Sequence, residues 1–215
     1  MRVVSLWSGG KDSCFACYKA MQYGHQVVSL FNFIDKNRKT SLSHGLSPEI
    51  IAKQAKSIGI PLLQKAMPKE TYREDFKKLI LEWKEKENIQ GIVFGDIYLE
   101  EHRDWIDKVC GESNLEAIFP IWMIDTKELV EKIIDSGFKA IVVSARADIE
   151  ASEKWLGSII DKDFIQGLAS GIDPCAENGE FHTFVFDGPL FNQPVAFSLG
   201  KKILKEKCWF LELIA

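Results

Sequence analysis

Ser8-Gly9-Gly10-Lys11-Asp12-Ser13 is the stretch whose residue types and spacing are best suited to chemistry. It stands between the apolar run Val3-Val4-Ser5-Leu6-Trp7 and the segment Cys14 to Gln22, which reads as a helix. A strand, a glycine turn and a helix start make an anion cradle. Successive backbone N–H groups point into one concavity, the helix N-terminus adds roughly half a positive charge, and two glycines let the backbone approach a bulky guest. Phosphate or pyrophosphate is the expected guest. The string is neither G-x-x-x-x-G-K-[ST] nor G-x-G-x-x-G, because spacing and residue order both differ. Serine, glycine and aspartate are also ordinary turn residues, so it is the strand before and the helix after that favour nucleotide binding over a plain turn.

Three further groups carry ionisable side chains in expected loops. Gly95-Asp96 follows the apolar run Gly91 to Phe94, and a carboxylate at a strand tip suits Mg²⁺, which takes one or two protein carboxylates and keeps water for the rest. Glu100, Glu101, His102 and Arg103 open the next helix, where acids are favourable without any further role. Glu177, Glu180 and His182, beside Cys175 and Thr183, offer two carboxylates and an imidazole able to bind a cation, orient ammonia or move a proton. Asn178-Gly179 within that segment also spells a hairpin turn. Cys175 as a nucleophile lacks an activating partner that the sequence can name. His44, in the polar loop Asp35 to Leu46, is placed to stack on or hydrogen-bond an adenine. Cys14-Phe15-Ala16-Cys17 spells C-x-x-C, yet a helical turn between two small thiols with no second pair reads as core packing.

The elements that must position these groups follow from periodicity. Gln26 to Ile34 reads as a strand buried on both faces and Pro61 to Ala66 as a third strand, and Tyr23-Gly24 stops the first helix. Ser47-Pro48-Glu49 reads as an N-cap, a proline in the first turn and an acid, opening a helix that ends at Gly59. From Lys69 to Asn88, Tyr72, Phe76, Leu79, Ile80 and Trp83 recur at helical spacing, so that aromatic stripe faces a core. Gly91 to Phe94 is a fourth strand, Leu99 to Gly111 a helix, and Glu116 to Phe119 a fifth strand. Strands alternating with helices predict an α/β fold with a doubly wound five-stranded parallel sheet, its ligand at the strands' carboxyl ends. From residue 123 the pattern loosens. Asp125-Thr126-Lys127-Glu128 opens a helix, and Phe138 to Ser144 is a further strand. A helix near Asp161 to Ala169 precedes strands at Phe184 to Phe186, Val195 to Leu199 and Cys208 to Leu213. The expected organisation is a nucleotide-binding domain over 1–122 and a smaller α+β substrate domain over 123–215, meeting across a cleft.

Composition narrows the classes. The 215 residues are 46% hydrophobic, enough for one large core or two smaller ones, and carry 27 Lys and Arg against 31 Asp and Glu, a net charge of −4. That balance supplies no global positive field, so direct nucleic-acid binding is not expected. No membrane-length apolar run or signal-peptide pattern is present, and five scattered cysteines argue against a disulfide framework, which together point to the cytoplasm.

Ser8-Gly9-Gly10-Lys11-Asp12-Ser13 resembles the PP-loop of the N-type ATP pyrophosphatases. Together with Gly95-Asp96-Ile97, Glu101-His102-Arg103-Asp104-Trp105 and Glu177-Asn178-Gly179-Glu180-Phe181-His182-Thr183-Phe184, it resembles the diphthine–ammonia ligase family across essentially the whole chain. One departure is Ala176, where the pattern leads one to expect glycine. The resemblance implies a HUP-like fold and adenylation by ATP of the carboxylate of diphthine, borne on the translocating elongation factor, followed by amidation with ammonia. It assigns Ser8, Gly9, Gly10, Lys11 and Ser13 to the pyrophosphate and Asp12 and Asp96 to Mg²⁺ or the α-phosphate region. Gly95 and His44 would contact the nucleotide. Lys11, Asp12, Glu177, Glu180 and His182 would serve the reaction, and Glu100, Glu101, His102, Arg103, Cys175 and Thr183 would contact the substrate. The implied partners are the elongation factor and ammonium, with a homodimer as a further option. Rival readings are a PP-loop ligase acting on another carboxylate or on tRNA, and a nucleotide-sensing HUP protein without turnover.

Overall fold

Val3, Val4 and Ser5 are fully buried, as a strand covered on both faces requires, and they form the centre of β1 (Arg2–Leu6). The computed structural model describes residues 1–35, 40–41, 44–68 and 71–215. Lys36, Arg38, Lys39 and Lys69, and the side chain of Tyr72, lie outside the described residues. β1 leads through the glycine turn into α1 (Lys11–Gln22), then β2 (Gln26–Asp35), α2 (Pro48–Ile58), β3 (Leu62–Met67), α3 (Tyr72–Glu87), β4 (Gly91–Val93), α4 (Glu100–Glu112) and β5 (Glu116–Ile118). The caps behave as their residue types dictate. The Ser47 hydroxyl accepts from the Ile50 N–H, and Gly59 closes α2 at φ 80°.

These five strands make the expected parallel sheet, in the order β3-β2-β1-β4-β5. Its winding reverses between β1 and β4, which opens a crevice at their carboxyl ends. One face is covered by α3 and α4 through Phe76, Leu79, Ile80, Ile106 and Val109. The other is covered by α1 and α2 through Cys14, Cys17, Ile50 and Ile51. Cys14 and Cys17 are thus core side chains, and burial pushes the Cys17 thiol up to about 12.

After α5 (Thr126–Asp135) come β6 (Lys139–Arg146), a short 3₁₀ turn at Ser152–Trp155, α6 (Lys162–Gln166), β7 (Phe181–Asp187), β8 (Ser198–Lys205) and β9 (Cys208–Ile214). The strands form an antiparallel sheet in the order β7-β6-β9-β8. Three expectations change here. β7 starts at Phe181, so His182 and Thr183 sit on a strand rather than in a loop. The strand expected at Val195 to Leu199 instead runs from Ser198 to Lys205. That edge strand is exposed along most of its length and rich in lysine, so it lacks the alternation that marks a half-buried strand. Asn178-Gly179 makes a turn but joins no hairpin, because β7 pairs with β6 across an intervening helix.

The two sheets share one core. Ile141, Val142, Phe184 and Val185 of the second sheet belong to the same apolar cluster as Cys14, Ile50 and Ile51. Gln54, fully buried on α2, joins the parts. Its Oε1 accepts from Trp7 Nε1 at 2.7 Å, and its Nε2 donates to the carbonyls of Gly9 at 3.0 Å and Val185 at 2.6 Å. Gln54→Leu fills similar space but strands the Trp7 N–H and the Val185 carbonyl. It is expected to cost about 2 to 4 kcal/mol, read as a lower urea midpoint at unchanged slope.

Candidate active site

The turn after β1 is built from its own short side chains. The Ser8 N–H donates to Ser13 Oγ at 3.3 Å, the Gly10 N–H to Ser8 Oγ at 3.2 Å, and Ser13 Oγ to the Gly10 carbonyl at 3.1 Å. Gly9 adopts φ +84°, and a Cβ there would lie 2.5 Å from Ile51 Cδ1, so both conformation and space demand glycine. Gly95, just past β4, is packed equally hard against this turn. A Cβ on it would lie 3.0 Å from the Cα and N of Ser13, so the absence of a side chain lets the β4 loop close on the start of α1.

Lys11 is 2% exposed and extends toward the second half of the chain. Its Nζ donates to Asp12 Oδ2 at 2.9 Å and to the Cys175 carbonyl at 2.5 Å. Burial pulls this ammonium's pKa down, but Asp12, with Cys175 and Glu177 behind it, outweighs burial and holds it above the ordinary lysine value. The other carboxylate oxygen of Asp12, Oδ1, is buried without a hydrogen-bond partner.

The segment from Asp173 to Thr183 meets the turn from the other side. Asp173 Oδ1 accepts from the N–H groups of Cys175 at 2.8 Å and Glu177 at 3.2 Å, while its Oδ2 accepts from Thr126 Oγ1 at 2.7 Å. Glu180, expected to take part in the reaction, turns inward instead. Its carboxylate accepts from the N–H groups of Asp173 and Asn178 and from Asn178 Nδ2, at 3.0 to 3.1 Å. Burial raises its pKa, but these donors outweigh burial and hold it below the usual carboxylate value, so Glu180 shapes the turn. Cys175 is likewise buried, with Sγ donating to the Thr126 carbonyl at 3.2 Å and its thiol pushed far up by burial, which leaves no nucleophilic thiolate. Ala176 adopts φ +61°, a left-handed conformation that explains why the motif leads one to expect glycine there.

Glu177 faces the cleft. Burial raises its carboxyl to about 7, with Asp12, Asp173 and Asp96 adding to the shift and Lys11 opposing it. Thr183 Oγ1 accepts from the Lys11 N–H at 3.1 Å. The rings of His44 and His182 lie 4.6 Å apart, and burial lowers the pKa of both, that of His182 to about 4, so both are neutral near pH 7. Asp96 Oδ1 is 2.6 Å from His102 Nδ1, which fixes the carboxylate at the tip of β4.

These parts line one cleft of about 360 Å³. Of the residues named from sequence, it collects Ser8, Lys11, Asp12, Ser13, His44, Gly95, Asp96, His102, Cys175, Glu177, His182 and Thr183. Gly9 and Gly10 shape the turn beneath it. Glu100 and Glu101 are exposed on α4 and do not line it, and Arg103 stacks on Trp122 and Phe119 outside it. Sequence reasoning missed Gln54, Asp173 and Asn32, whose Nδ2 donates to the Trp7 carbonyl at 2.8 Å. Only Gln54 left a signal, a polar residue in the apolar stripe of α2.

A parallel sheet that reverses its winding between a serine–glycine turn and an acid-tipped loop puts the cleft at the strands' carboxyl ends, where open α/β sheets hold their ligands. The diphthamide synthase N-terminal domain matches residues 1–117, and the diphthamide synthase C-terminal domain matches 125–213. The chain belongs to the diphthamide synthase family, whose curated relatives are ligases. It is similar to the diphthine–ammonia ligase of Mus musculus, 29% identical over 228 residues that span 95% of this chain and 85% of that protein. The Homo sapiens protein of the same name is 28% identical over 95% of this chain and 85% of its own length. The Schizosaccharomyces pombe protein, also so named, is 26% identical over 92% of this chain but only 36% of its own length. No helix among the described residues is long and apolar enough to cross a membrane.

Gly95→Ala is expected to force the β4 loop and the start of α1 apart. The loss should be about 1 to 3 kcal/mol, measured as a lower denaturation midpoint.

Proposed function

We propose that this protein joins ammonia to the carboxylate of diphthine on the translocating elongation factor, with ATP cleaved to AMP and pyrophosphate. The observation that carries this reading is a single cleft lined both by the serine–glycine turn with Lys11 and by the Glu177 to Thr183 segment. One side suits a polyphosphate and the other a cationic, amide-forming substrate. The family and the names of the relatives support the same direction.

The chemistry follows from charge. A carboxylate is a poor acyl donor, so its oxygen first attacks the α-phosphorus of ATP, the bond to pyrophosphate breaks, and an acyl-adenylate forms. Ammonia then attacks the acyl carbon, and AMP leaves. The pyrophosphate gathers negative charge as it departs, and Lys11, Ser8, Ser13 and the N–H groups at the start of α1 lie where that charge would be met. Their preorganisation costs no rearrangement at the moment of reaction.

Mg²⁺ fits the residues present. Asp12 offers a buried carboxylate oxygen without a partner, and Asp96 lines the same cleft. Mg²⁺ typically takes only one or two protein carboxylates and keeps water for the rest, so these two would be enough to hold it. When bound, the ion would screen the negative charge of the leaving pyrophosphate.

Glu177 takes the proton that nitrogen loses as the amide forms. A carboxyl raised to about 7 is poised for proton transfer near neutrality. The trimethylammonium group of diphthine would lie against the carboxylates of this side, with the neutral His44 and His182 rings packed beside it.

Incubation with diphthine-bearing elongation factor, ATP, Mg²⁺ and ammonium should yield AMP, pyrophosphate and an amide detectable by mass. ADP in place of AMP would overturn the adenylation step. Glu177 acts deprotonated, so kcat/KM at constant free ammonia should rise with pH through about 7, the carboxyl value of the free enzyme. Glu177→Gln should remove that rising limb and slow amide formation by about 10²- to 10⁴-fold while a first turnover of pyrophosphate is still released. An unchanged profile would exclude Glu177 as the base.

A further inference from the structure

The mouth of the cleft carries an apolar surface that folding does not require. Met123 is 62% exposed, Leu99 57% and Tyr98 36%, and Leu99 also lines the cleft. The two segments that bear them are tied together: the Met123 N–H donates to the Ile97 carbonyl at 2.9 Å, and Tyr98 Oη to the Ile124 carbonyl at 2.9 Å. Met123 also holds φ +57°, a left-handed conformation that glycine or asparagine adopts at lower energy. A bulky apolar side chain that is both strained and exposed contributes nothing to the core. Beside it, the Arg103 guanidinium is held 4.6 Å from the Trp122 ring and 5.1 Å from Phe119, a rigid cation–aromatic stack of the kind enriched at protein interfaces.

The rim of this surface is acidic. Glu100, Glu101 and Asp104 are exposed on α4, and none of them forms an ion pair among the described residues. Asp125, exposed at the start of α5, caps that helix by accepting from the N–H groups of Lys127 and Glu128. The cations alongside are Arg103, paired with Asp107, and Lys127. An apolar centre with an acidic border, continuous with the cleft that receives the substrate side chain, is complementary to an apolar contact ringed by basic residues.

We propose that Tyr98, Leu99 and Met123, with their acidic rim, form the surface on which the protein bearing the carboxylate substrate docks, presenting a basic face. The inference rests on the reading that the substrate is a residue of a protein, and it names the part of this chain that selects that protein. Methionine suits the task, because its flexible thioether adapts to a partner's contour.

Two variants of a residue outside the cleft test it, with diphthine-bearing elongation factor as the probe. Met123→Lys should raise KM for the factor about tenfold, and raised ionic strength should raise the wild-type KM as well. Its kcat at saturation and its ATP affinity should stay within about twofold of wild type. Met123→Asn relieves the backbone strain, so its Tm should rise while its affinity for the factor falls, a pair of opposite signs that a structural role would not produce. Unchanged KM in both variants, with wild-type turnover intact, would overturn the docking surface alone. A changed sedimentation coefficient in either variant would assign the patch to a contact between two copies of this chain and overturn it likewise. Wild-type protein that turns over no ATP with the factor would overturn the function itself.

Discussion

The main chain of the serine–glycine turn is hydrogen-bonded to the second sheet, and the rest of the site depends on that connection. The Val185 N–H of β7 donates to the Gly9 carbonyl at 3.0 Å, the Lys11 N–H donates to Thr183 Oγ1 at 3.1 Å, and Gln54 bridges the carbonyls of Gly9 and Val185. A glycine turn is soft by itself, because each glycine gives up much conformational freedom on ordering. Here the turn is held by a strand on one side and by Gly95 on the other, so its donors keep fixed positions. The same bonds place Glu177 and His182 opposite the turn, which makes the two halves of the chain one site.

A second constraint is electrostatic. Asp12, Asp96 and Asp173 crowd around Glu177, and the buried ammonium of Lys11 opposes their charge there. One ammonium cannot balance all of them in a partly dry cleft. The structure answers in three ways: Asp12 pairs with Lys11, Asp173 and Glu180 take backbone N–H groups, and Glu177 holds its proton to about pH 7. Glu177, which finds no donor among the described residues, is thereby the one of these best suited to exchange a proton. The glutamates of the motif divide the labour, Glu180 shaping the turn and Glu177 facing the cleft.

Much of the fold was legible in the sequence because its signals are local. Buried strands announce themselves as continuous apolar runs, α2 by a serine cap and a left-handed glycine, and α3 by an apolar stripe at helical spacing. The misplaced elements share the opposite property. β8 is an exposed, lysine-rich edge whose existence depends on β9 beside it, and β7 starts early because Phe181 to Thr183 pair with β6. Such pairings join residues far apart in the chain, so no local pattern reports them.

The site divides along the same line. By itself the sequence determined the turn after β1, the acid at the tip of β4 and the glutamate and histidine segment near β7, because backbone geometry over a few residues limits which types fit. Only the tertiary structure decided that Lys11 reaches the Cys175 carbonyl, that Gln54 ties the sheets together, and that Glu177 rather than Glu180 faces the cleft. Direction, burial and proton affinity are set by atoms that folding brings close from distant parts of the chain, and a residue's type does not carry that information.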